Sequence, residues 1–405
     1  MTGVWQTRTL AQVTRIRPPK SEARARLPRG GDVSFLPMEA LQASAKYINA
    51  TSVRSLQSVA GSYTYFADGD VLLPKISPCF ENGKMGIARN LANGIGFGSS
   101  EYIVFRPTSD ITAEWLYYYL SRAEMRDEGT ALTYGAVGQR RLPKEFVENY
   151  PIPVPSLPEQ QRVVAILDGA FEGLSAARAN AEKNLGNARA VFESYRDFVF
   201  TQDCEGWVEQ RLEDVVEATC TLSYGIVQPG AEYAGGSPVV RPMDLAPKVI
   251  VPEGLKRIDP RLADSYQRTT LKGGELLLCV RGSTGAMSVA SPQLAGANVT
   301  RGIVPIRFDS AVVRQDFAYY LMSSGAVQEQ VRQGTYGAAL MQINIRDLRR
   351  IRVSFPPLGE QLAIALTLAS MEVEVGRLET IYQHKLAALD TLKQSLLHHA
   401  FSGQL

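Results

Sequence analysis

The chain has 405 residues, of which 45% are hydrophobic, and its formal net charge is +2. This length and composition allow two to four compact domains, each with an ordinary hydrophobic core. A membrane span would need roughly 20 consecutive apolar residues, and no stretch of the sequence approaches that length, so we expect a cytoplasmic protein.

The cysteine, histidine and motif content disfavours catalysis and metal binding. The cysteines lie far apart and form no CxxC pair, which indicates reduced thiols at Cys79, Cys204, Cys220 and Cys279. All three histidines lie near the C-terminus. The sequence contains no GxxxxGK(S/T), GxGxxG, GxSxG or HExxH motif, and no (N/D/S)PP(Y/F) motif of the kind that DNA amino-methyltransferases use. We expect no catalytic residue, no metal site and no cofactor bound by this chain.

Residues 1–156 are predicted to form a globular domain of mixed strands and helices. Its arginine- and proline-rich segment from Arg15 to Arg29 is interpreted as a loop that either tracks DNA phosphates or is flexible and solvated. The apolar run Ile103–Phe105 predicts a strand, and Gly94–Gly98 predicts a turn between strands. The apolar spacing over residues 113–127 predicts a helix.

A long helix is predicted over residues 157–201. Ser156–Glu159 supplies a capping box and a proline in the first turn. Apolar positions then alternate in steps of four and three, and Arg178 is the single charged break. The predicted seam consists of Leu167, Phe171, Leu174, Arg178, Ala181, Leu185, Ala188, Phe192, Tyr195 and Val199.

The second half of the chain repeats the first with a shift of about 200 residues. The matches keep their order: Trp5 with Trp207, Tyr118–Leu120 with Tyr319–Leu321, Thr133–Ala136 with Thr335–Ala338, and Leu157–Gln160 with Leu358–Gln361. The residues between these matches differ strongly, which suits two domains that bind different targets, although drift in unconstrained loops would look the same. A strand is predicted at Leu276–Val280 and a helix over residues 315–333.

A second long helix is predicted to follow Pro357. Its seam consists of Ile364, Leu368, Met371, Val375, Leu378, Tyr382, Lys385, Leu389, Leu392 and Leu396. The 3.5-residue period favours a coiled coil. Antiparallel pairing of the two helices would place one domain at each end of a rod of roughly 60 Å, although each helix could instead pair with another chain. Because Gly359 replaces Pro158 and Ser156 has no counterpart, we expect this helix to begin less sharply.

The predicted fold class is therefore α+β, with two tandem globular domains joined by two long antiparallel coiled-coil helices in a pseudo-two-fold internal repeat. The predicted boundaries are residues 1–156, 157–201, 202–357 and 358–405.

Several motifs resemble the specificity (S) subunits of Type I restriction-modification systems. The two junctions at residues 152–160 and 353–361 share proline residues followed by Leu-x-Glu-Gln. Three further phrases carry the resemblance: Phe35–Glu39, Tyr224–Pro229 and Ser395–Leu405.

This resemblance implies that the globular domains are target-recognition domains, each reading one half of a split, asymmetric DNA site. It implies that the long helices act as a spacer and docking surface for two methyltransferase (M) subunits, which restriction (R) subunits could join. S-adenosylmethionine and the flipped adenine would then be bound by the M subunit and not by this chain.

Two groups of residues in each domain are candidates for DNA contact. The first follows a predicted strand and comprises Lys75, Ser77, Asn82 and Lys84 in the first domain and Arg281, Ser283 and Thr284 in the second. The second surrounds the Thr-Tyr-Gly segments and comprises Thr133, Tyr134, Gln139, Arg140, Arg141, Thr335, Tyr336, Gln342 and Asn344. Lysine and arginine can bind phosphate, and arginine or amide side chains can read base edges. The first group could equally be solvated turns, and the two tyrosines could pack in the domain cores.

Two other functions are compatible with the sequence. One is a self-contained nuclease or methyltransferase with an unrecognised motif, and the other is a coiled-coil adaptor with no nucleic-acid role. A DNA reader differs from an adaptor in showing sequence-selective binding with a steep salt dependence.

Overall fold

A computed structural model of the chain describes residues 5–28, 30–43, 45–50, 52–136, 138–201, 205–338 and 340–405. The chain divides into two compact units. Unit 1 comprises residues 1–182 and 384–405, and unit 2 comprises residues 183–383. The predicted four-part division of the chain into domains and helices stays a prediction.

Unit 1 is built from two four-stranded sheets, a separate strand pair and several helices. Its strands are β1 (Gln6–Thr9), β2 (Thr14–Ile16), β3 (Asp32–Leu36), β4 (Ser52–Ser55), β5 (Thr64–Ala67), β6 (Val71–Pro74), β7 (Gly86–Ile87), β8 (Ile95–Gly98), β9 (Tyr102–Pro107) and β10 (Pro151–Val154). Its helices are α1 (Leu10–Val13), α2 (Ser21–Arg26), α3 (Leu56–Val59), α4 (Ala113–Leu120), α5 (Ala123–Leu132), α6 (Lys144–Asn149), the first part of α7 (Leu157–Thr201) and the last part of α12 (Leu358–Phe401). The sheets have the orders β4-β3-β8-β5 and β2-β9-β6-β7, and β1 pairs with β10.

Unit 2 repeats this plan with shorter strands. Its strands are β11 (Val208–Arg211), β12 (Ser237–Val240), β13 (Val249–Ile250), β14 (Lys256–Ile258), β15 (Leu276–Cys279), β16 (Met287–Ala290), β17 (Asn298–Val299), β18 (Ile303–Ile306), β19 (Thr335–Tyr336), β20 (Gln342–Ile343) and β21 (Arg352–Phe355). Its helices are the last part of α7, α8 (Pro260–Asp264), α9 (Gln315–Ser323), α10 (Gly325–Gln333), α11 (Ile345–Arg349) and most of α12 (Leu358–Phe401). The sheets have the orders β14-β12-β17 and β13-β16-β15-β18, and β11 pairs with β21 and β19 with β20.

In each unit a large core cluster lies between one sheet, which we call the central sheet, and the long helices. The central sheet is β2-β9-β6-β7 in unit 1 and β13-β16-β15-β18 in unit 2. In unit 1, Val71, Phe105 and Trp115 pack with Leu167 of α7 and Phe401 of α12. The corresponding cluster of unit 2 contains Leu276, Val304 and Phe317 together with Phe200 of α7 and Leu368 of α12. Because both long helices contribute to both cores, each globular part is held on a pair of helical segments.

The predicted strands at Ile103–Phe105 and Leu276–Val280 are confirmed as parts of β9 and β15, the latter ending at Cys279. The helical pattern over residues 113–127 corresponds to two helices, α4 and α5. The pattern over residues 315–333 likewise divides into α9 and α10 at Ser324.

The prediction of a turn at Gly94–Gly98 was wrong, because Ile95–Gly98 is the buried strand β8. A Cβ atom at Gly96 would lie 2.1 Å from the ring of Phe66, and one at Gly98 would lie 2.5 Å from the carbonyl oxygen of Leu36. These glycines therefore permit close packing inside a sheet. In the sequence alone, the same glycines look like a turn signal.

The prediction of a loop from Arg15 to Arg29 was also wrong, because this segment contains β2 and α2. The guanidinium of Arg15 lies 2.6 Å from the carboxylate of Glu22, which also pairs with Arg106. Arg106 in turn pairs with the buried Asp70 at 2.7 Å. The ion pairs fix the segment against the sheet, while Arg29 lies outside the described residues.

The long helices pair with each other inside each unit, and the pairing is antiparallel. In unit 1, Arg178 donates to Asp390 at 2.5 Å, and Arg162 donates to the backbone oxygen of Leu405 at 2.6 Å. In unit 2, Arg189 pairs with Glu379, and Phe200 further along α7 packs in one cluster with Leu368, which comes earlier in α12. The predicted intramolecular antiparallel pairing is therefore confirmed within each unit. Among the described residues, no helix is long and apolar enough to span a membrane.

The seam of α7 follows the predicted positions more closely than the seam of α12. In α7, Leu167 and Ala181 are buried, whereas Arg178 is exposed and Ala177 is half-buried. In α12 the predicted seam residues Leu378 and Leu392 are exposed, 40% and 47% respectively. Glu379 and Leu386 are half-buried instead. The steps from Val375 to Glu379 and from Tyr382 to Leu386 are four residues long, whereas the predicted seam has steps of three residues there.

Both long helices begin at equivalent leucines, Leu157 and Leu358, so the expected difference in how sharply they begin is not seen. The predicted capping box at Ser156 is not formed by Glu159, because the carboxylate of Glu159 accepts both hydrogen bonds from Arg162 at 2.8 Å. The described cysteines are free, and Cys220 and Cys279 are buried. Cys204 lies outside the described residues.

Candidate nucleic-acid interface

In unit 1 the two groups of candidate residues lie side by side. The strand-end segment that follows β6 pairs with a hairpin formed by residues 133–136 and 138–142. The amide of Leu142 donates to the carbonyl of Lys75 at 2.8 Å, and the amide of Ser77 donates to the carbonyl of Arg140 at 2.9 Å. Within the hairpin, the amide of Arg141 donates to the carbonyl of Tyr134 at 2.8 Å. The sequence separated these residues by about 60 positions, and the fold brings them together.

In unit 2 the same two groups are joined by the same backbone bonds. The amide of Ile343 donates to the carbonyl of Val280 at 3.0 Å, and the amide of Gly282 donates to the carbonyl of Met341 at 2.8 Å. The hairpin here is β19 and β20. Each unit therefore has one surface made of a strand-end segment and a hairpin, which we call the paired-loop surface. It comprises residues 75–84, 133–136 and 138–142 in unit 1, and residues 280–285, 335–338 and 340–344 in unit 2.

The Thr-Tyr-Gly segments form the hairpins, and their glycines are required by the backbone. Gly135 has a φ of 122° and Gly337 a φ of 116°, values that side chains other than glycine rarely adopt. A Cβ at Gly337 would also lie 2.4 Å from the carbonyl oxygen of Leu340. The adjacent tyrosines, Tyr134 and Tyr336, are 64% and 44% exposed, so they do not pack in the domain cores.

Several candidate side chains in unit 1 hold the paired-loop surface together. Arg141 donates two hydrogen bonds to the carboxylate of Glu101, at 3.0 and 2.9 Å, and Lys75 lies 3.7 Å from the same carboxylate. The hydrogen bonds from Arg141, followed by the positive charge of Lys75, lower the pKa of Glu101. Ser77 donates to Glu81, and Lys84 donates to the carbonyl oxygen of Met38 at 3.2 Å.

The remaining candidates of unit 1 differ in exposure. Thr133 is buried, and its hydroxyl donates to the carbonyl oxygen of Thr130 at 2.8 Å. Arg140 and Gln139 are exposed beside Tyr134, and the Arg140 guanidinium also donates to the carbonyl of Thr133 at 2.6 Å. Asn82 is exposed at the far end of the strand-end segment. Tyr134, Gln139 and Arg140 are therefore the most accessible candidates on the hairpin of unit 1.

In unit 2 the exposed Tyr336 and the half-buried Gln342 and Asn344 form a short chain of hydrogen bonds. The amide of Gln342 donates to the hydroxyl of Tyr336 at 3.0 Å, and that hydroxyl donates to Asn344 at 2.6 Å. These bonds hold the hydroxyl of Tyr336 between two amide side chains of a kind that can pair with adenine.

The strand-end candidates of unit 2 lie beneath this hairpin. Ser283 is exposed, and the hydroxyl of Thr284 donates to the carbonyl of Met341 at 3.3 Å. The Nε of Arg281 is buried with no hydrogen-bond partner among the described residues. Thr335 donates to the carbonyl of Val331 at 2.6 Å. All sixteen candidates stay predictions as DNA contacts.

One neighbour of this surface was missed as a site residue. The hydroxyl of Tyr224 donates to the carbonyl of Ile343 at 3.3 Å, and the ring is 37% exposed. The following Gly225 could not be replaced without a clash, since its Cβ would lie 2.0 Å from the carbonyl oxygen of Val299. The Tyr-Gly pair was visible in the sequence, but nothing there placed it beside the hairpin.

The junction motif Leu-x-Glu-Gln also has a structural role that the sequence did not predict. The buried amide of Gln160 accepts from the amide of Thr112 at 2.9 Å and donates to the carbonyls of Asp110 and Pro155 at 2.8 and 2.9 Å. Gln361 makes the same three bonds in unit 2, to Arg314, Val312 and Pro356. Each glutamine therefore ties the start of a long helix to the globular part of its unit.

Comparison with known proteins identifies the repeat. The chain matches the Type I restriction modification DNA specificity domain twice, over residues 3–182 and 204–381. The specificity subunit of the Type I restriction enzyme EcoEI from Escherichia coli is 35% identical over 161 residues, which is 40% of this chain and 26% of the relative. The chain thus matches about a quarter of the length of this relative.

Two solved structures have a similar fold. One chain, from a study of complex assembly and conformational transition of the type I R-M system, has a TM-score of 0.80 and 20% identity, covering 100% of this chain and 99% of its own. The HsdS subunit from Thermoanaerobacter tengcongensis has a TM-score of 0.60 and 20% identity, covering 100% and 98%. Because the two family matches span most of the sequence, the chain belongs to the family of the Type I restriction modification DNA specificity domain.

Proposed function

We propose that this chain is a non-catalytic subunit that reads a bipartite, asymmetric DNA site. The observation that carries the proposal is the paired-loop surface, which has the same backbone bonds in both units and different side chains. At the equivalent exposed position of the two hairpins, Arg140 corresponds to Met341. A conserved backbone with divergent exposed side chains is what two readers of different half-sites require.

The proposal includes methyltransferase subunits as partners. Two M subunits bind the long helices, R subunits can join them, and S-adenosylmethionine and the flipped adenine are held by the M subunits. Large apolar side chains on the outer faces of these helices support docking there. In unit 2 they include Val191 and Phe198 of α7 and Leu366 and Val373 of α12, all more than half exposed. Isolated exposed apolar residues are ordinary, but several on one helix pair favour a partner.

The proposal is tested by mapping methylated adenines in cells that carry the methyltransferase partner with and without this chain. We expect a two-part motif with a fixed non-specific gap whose methylation requires the chain. A variant that carries Tyr336–Ile343 of unit 2 in place of Tyr134–Leu142 of unit 1 should change one half of the motif and leave the other half intact. Methylation that is independent of the chain, or a hairpin exchange that changes neither half, would contradict the proposal.

A further inference from the structure

A cluster of three polar side chains joins the globular part of unit 1 to its long helix. The ammonium of Lys46 lies 2.6 and 2.8 Å from the carboxylate oxygens of Asp168 in α7. The hydroxyl of Tyr118 in α4 donates to the same carboxylate. The ammonium also lies 4.8 Å from the centroid of the Tyr118 ring, a cation–π distance.

The same cluster occurs in unit 2. Its tyrosine is Tyr320, which is equivalent to Tyr118 in the structure because Thr112 and Arg314 bond to the equivalent glutamines, whereas the sequence match pairs Tyr118 with Tyr319. Lys248 pairs with Glu372 of α12, and its ammonium lies 4.5 Å from the centroid of the Tyr320 ring. The hydroxyl of Tyr320 donates to Glu372 at 2.7 Å. We call each set, Lys46–Tyr118–Asp168 and Lys248–Tyr320–Glu372, a lysine clamp.

The two lysines occupy equivalent places in the fold. The carbonyl of Lys46 accepts a hydrogen bond from Ile87 of β7 at 2.8 Å, and the carbonyl of Lys248 accepts one from Val289 of β16 at 2.7 Å. Each lysine thus lies on a segment that pairs with the edge of the central sheet, and its side chain reaches the long helix.

The two carboxylates, in contrast, do not match in the internal repeat. Counting from the buried glutamines Gln160 and Gln361, Asp168 corresponds to Ala369, and Glu372 corresponds to Phe171. The acidic residues therefore lie about one helical turn apart in the repeat, and the longer side chain belongs to the more distant one. The two units reach the same three-part contact from different helix positions, which points to the contact itself as the retained feature.

The chemistry of the clamps suits a rigid link. Both tyrosines have a raised pKa, chiefly because they are buried and then because they donate to a carboxylate, so each phenol remains a neutral donor at physiological pH. The Lys46 side chain is 16% exposed and that of Lys248 is 36% exposed, so the lysine of unit 1 is the better shielded from solvent. Each carboxylate therefore receives an ammonium and a hydroxyl at once, which fixes its position better than a surface ion pair would.

We propose that Lys46 and Lys248 are positioning residues that fix the orientation of each globular part on its long helices and thereby the gap between the two half-sites. The inference rests on the proposed function. Breaking a clamp leaves the paired-loop surface intact, so the half-site sequences stay the same. It allows the domain to tilt, so the complex accepts gaps that are one base pair shorter or longer.

The test uses the complex of the full chain with its methyltransferase partner and a DNA library in which the gap varies by single base pairs. In Lys46→Met and Lys248→Met the preference for the natural gap should fall about tenfold, equivalent to roughly 1.4 kcal/mol. The exchange Lys46→Glu with Asp168→Lys should restore much of this preference. Lys144→Met, which removes the exposed pair with Glu148, is the matched control and should leave it unchanged.

Equal loss of methylation at every gap, together with a lower melting temperature, would show a merely structural role and overturn the inference. So would an unchanged gap preference in both methionine variants, or a charge exchange that restores nothing. If the unaltered complex methylates no bipartite site, the proposed function itself fails, which is a different result from any of these.

Discussion

At the scale of single residues, the paired-loop surface of unit 1 separates side chains that hold the backbone from side chains that face solvent. Glu101 pairs with both Arg141 and Lys75, and these ion pairs hold the hairpin against the strand-end segment. Tyr134 and Arg140 face outward from the same hairpin. Arg141 and Lys75 are thus expected to position the hairpin. Tyr134 and Arg140 are expected to contact DNA.

Replacing Glu101 by Gln should loosen the hairpin of unit 1. The substitution removes the charge that Arg141 and Lys75 share, so the backbone bond from Arg141 to Tyr134 should open more often. We expect several-fold faster amide hydrogen exchange at Arg141, while the equivalent hairpin of unit 2 is unaffected. Glu148→Gln, which alters the exposed pair with Lys144, serves as the control. Unchanged exchange at Arg141 would argue against this holding role.

The same carboxylate should make the hairpin sensitive to acid. The pKa of Glu101 lies below its ordinary value of 4.5. The ionised carboxylate therefore stabilises the hairpin fully above pH 4.5, and this stabilisation is lost as the pH falls through the lowered pKa. Exchange measured from pH 6 downward should therefore show protection of Arg141 persisting at pH 4.5 and disappearing at lower pH. In Glu101→Gln this pH dependence should be absent, and its persistence there would assign the transition to another group.

Replacing Arg140 by Met, the residue at the equivalent position of unit 2, should affect one half-site only. An arginine that contacts a base edge contributes roughly 1 to 3 kcal/mol of discrimination, so we expect at least about a fivefold weaker affinity for DNA that carries the natural first half-site. Fluorescence anisotropy with the methyltransferase complex measures this. Lys144→Met again controls for loss of charge, and equal weakening on DNA lacking that half-site would indicate a phosphate contact instead.

At the scale of elements, the sequence predicted periodic features well and close packing poorly. The seam of α7 and the pairing of the long helices followed from heptad spacing, because burial of one helix face leaves a regular pattern. The sequence predicted a turn where β8 lies. Glycine is required at Gly96 and Gly98 because a Cβ there would clash with the ring of Phe66 and the carbonyl of Leu36, and these neighbours are distant in sequence. The approach of the two parts of the paired-loop surface likewise depends on long-range backbone bonds that no local pattern records.

The buried glutamines at the starts of the long helices should be important for stability. Replacing Gln160 by Ala removes three hydrogen bonds and leaves the amide of Thr112 and two carbonyls to find other partners. We expect the free energy of unfolding to fall by about 2 to 4 kcal/mol, measured by urea denaturation. The neighbouring Gln161 is exposed, so Gln161→Ala should change it by less than about 0.5 kcal/mol. Similar losses in both variants would show that the buried hydrogen bonds of Gln160 are not the cause, because alanine favours a helix more than glutamine does.

At the scale of the whole molecule, the proposed function links the length of the paired helices to the length of the non-specific gap. Each long helix contributes residues to both units, and the pairing in each unit is antiparallel. One heptad adds about 10 Å of helix, or roughly 3 base pairs of DNA. Three heptads add about 31 Å, close to one turn of DNA, so that the two half-sites again face the same side of the duplex.

Inserting heptads into both helices at matched levels should therefore change the gap and leave both half-sites unchanged. Three heptads should give a methylated motif whose gap is longer by about 9 or 10 base pairs, whereas one heptad should give weaker methylation, because it lengthens the gap but rotates the half-sites out of phase. Insertion into α7 alone breaks the pairing and controls for damage to the helices. Sequencing of methylated adenines reads the result, and the original gap in the three-heptad variant would show that helix length does not set the spacing.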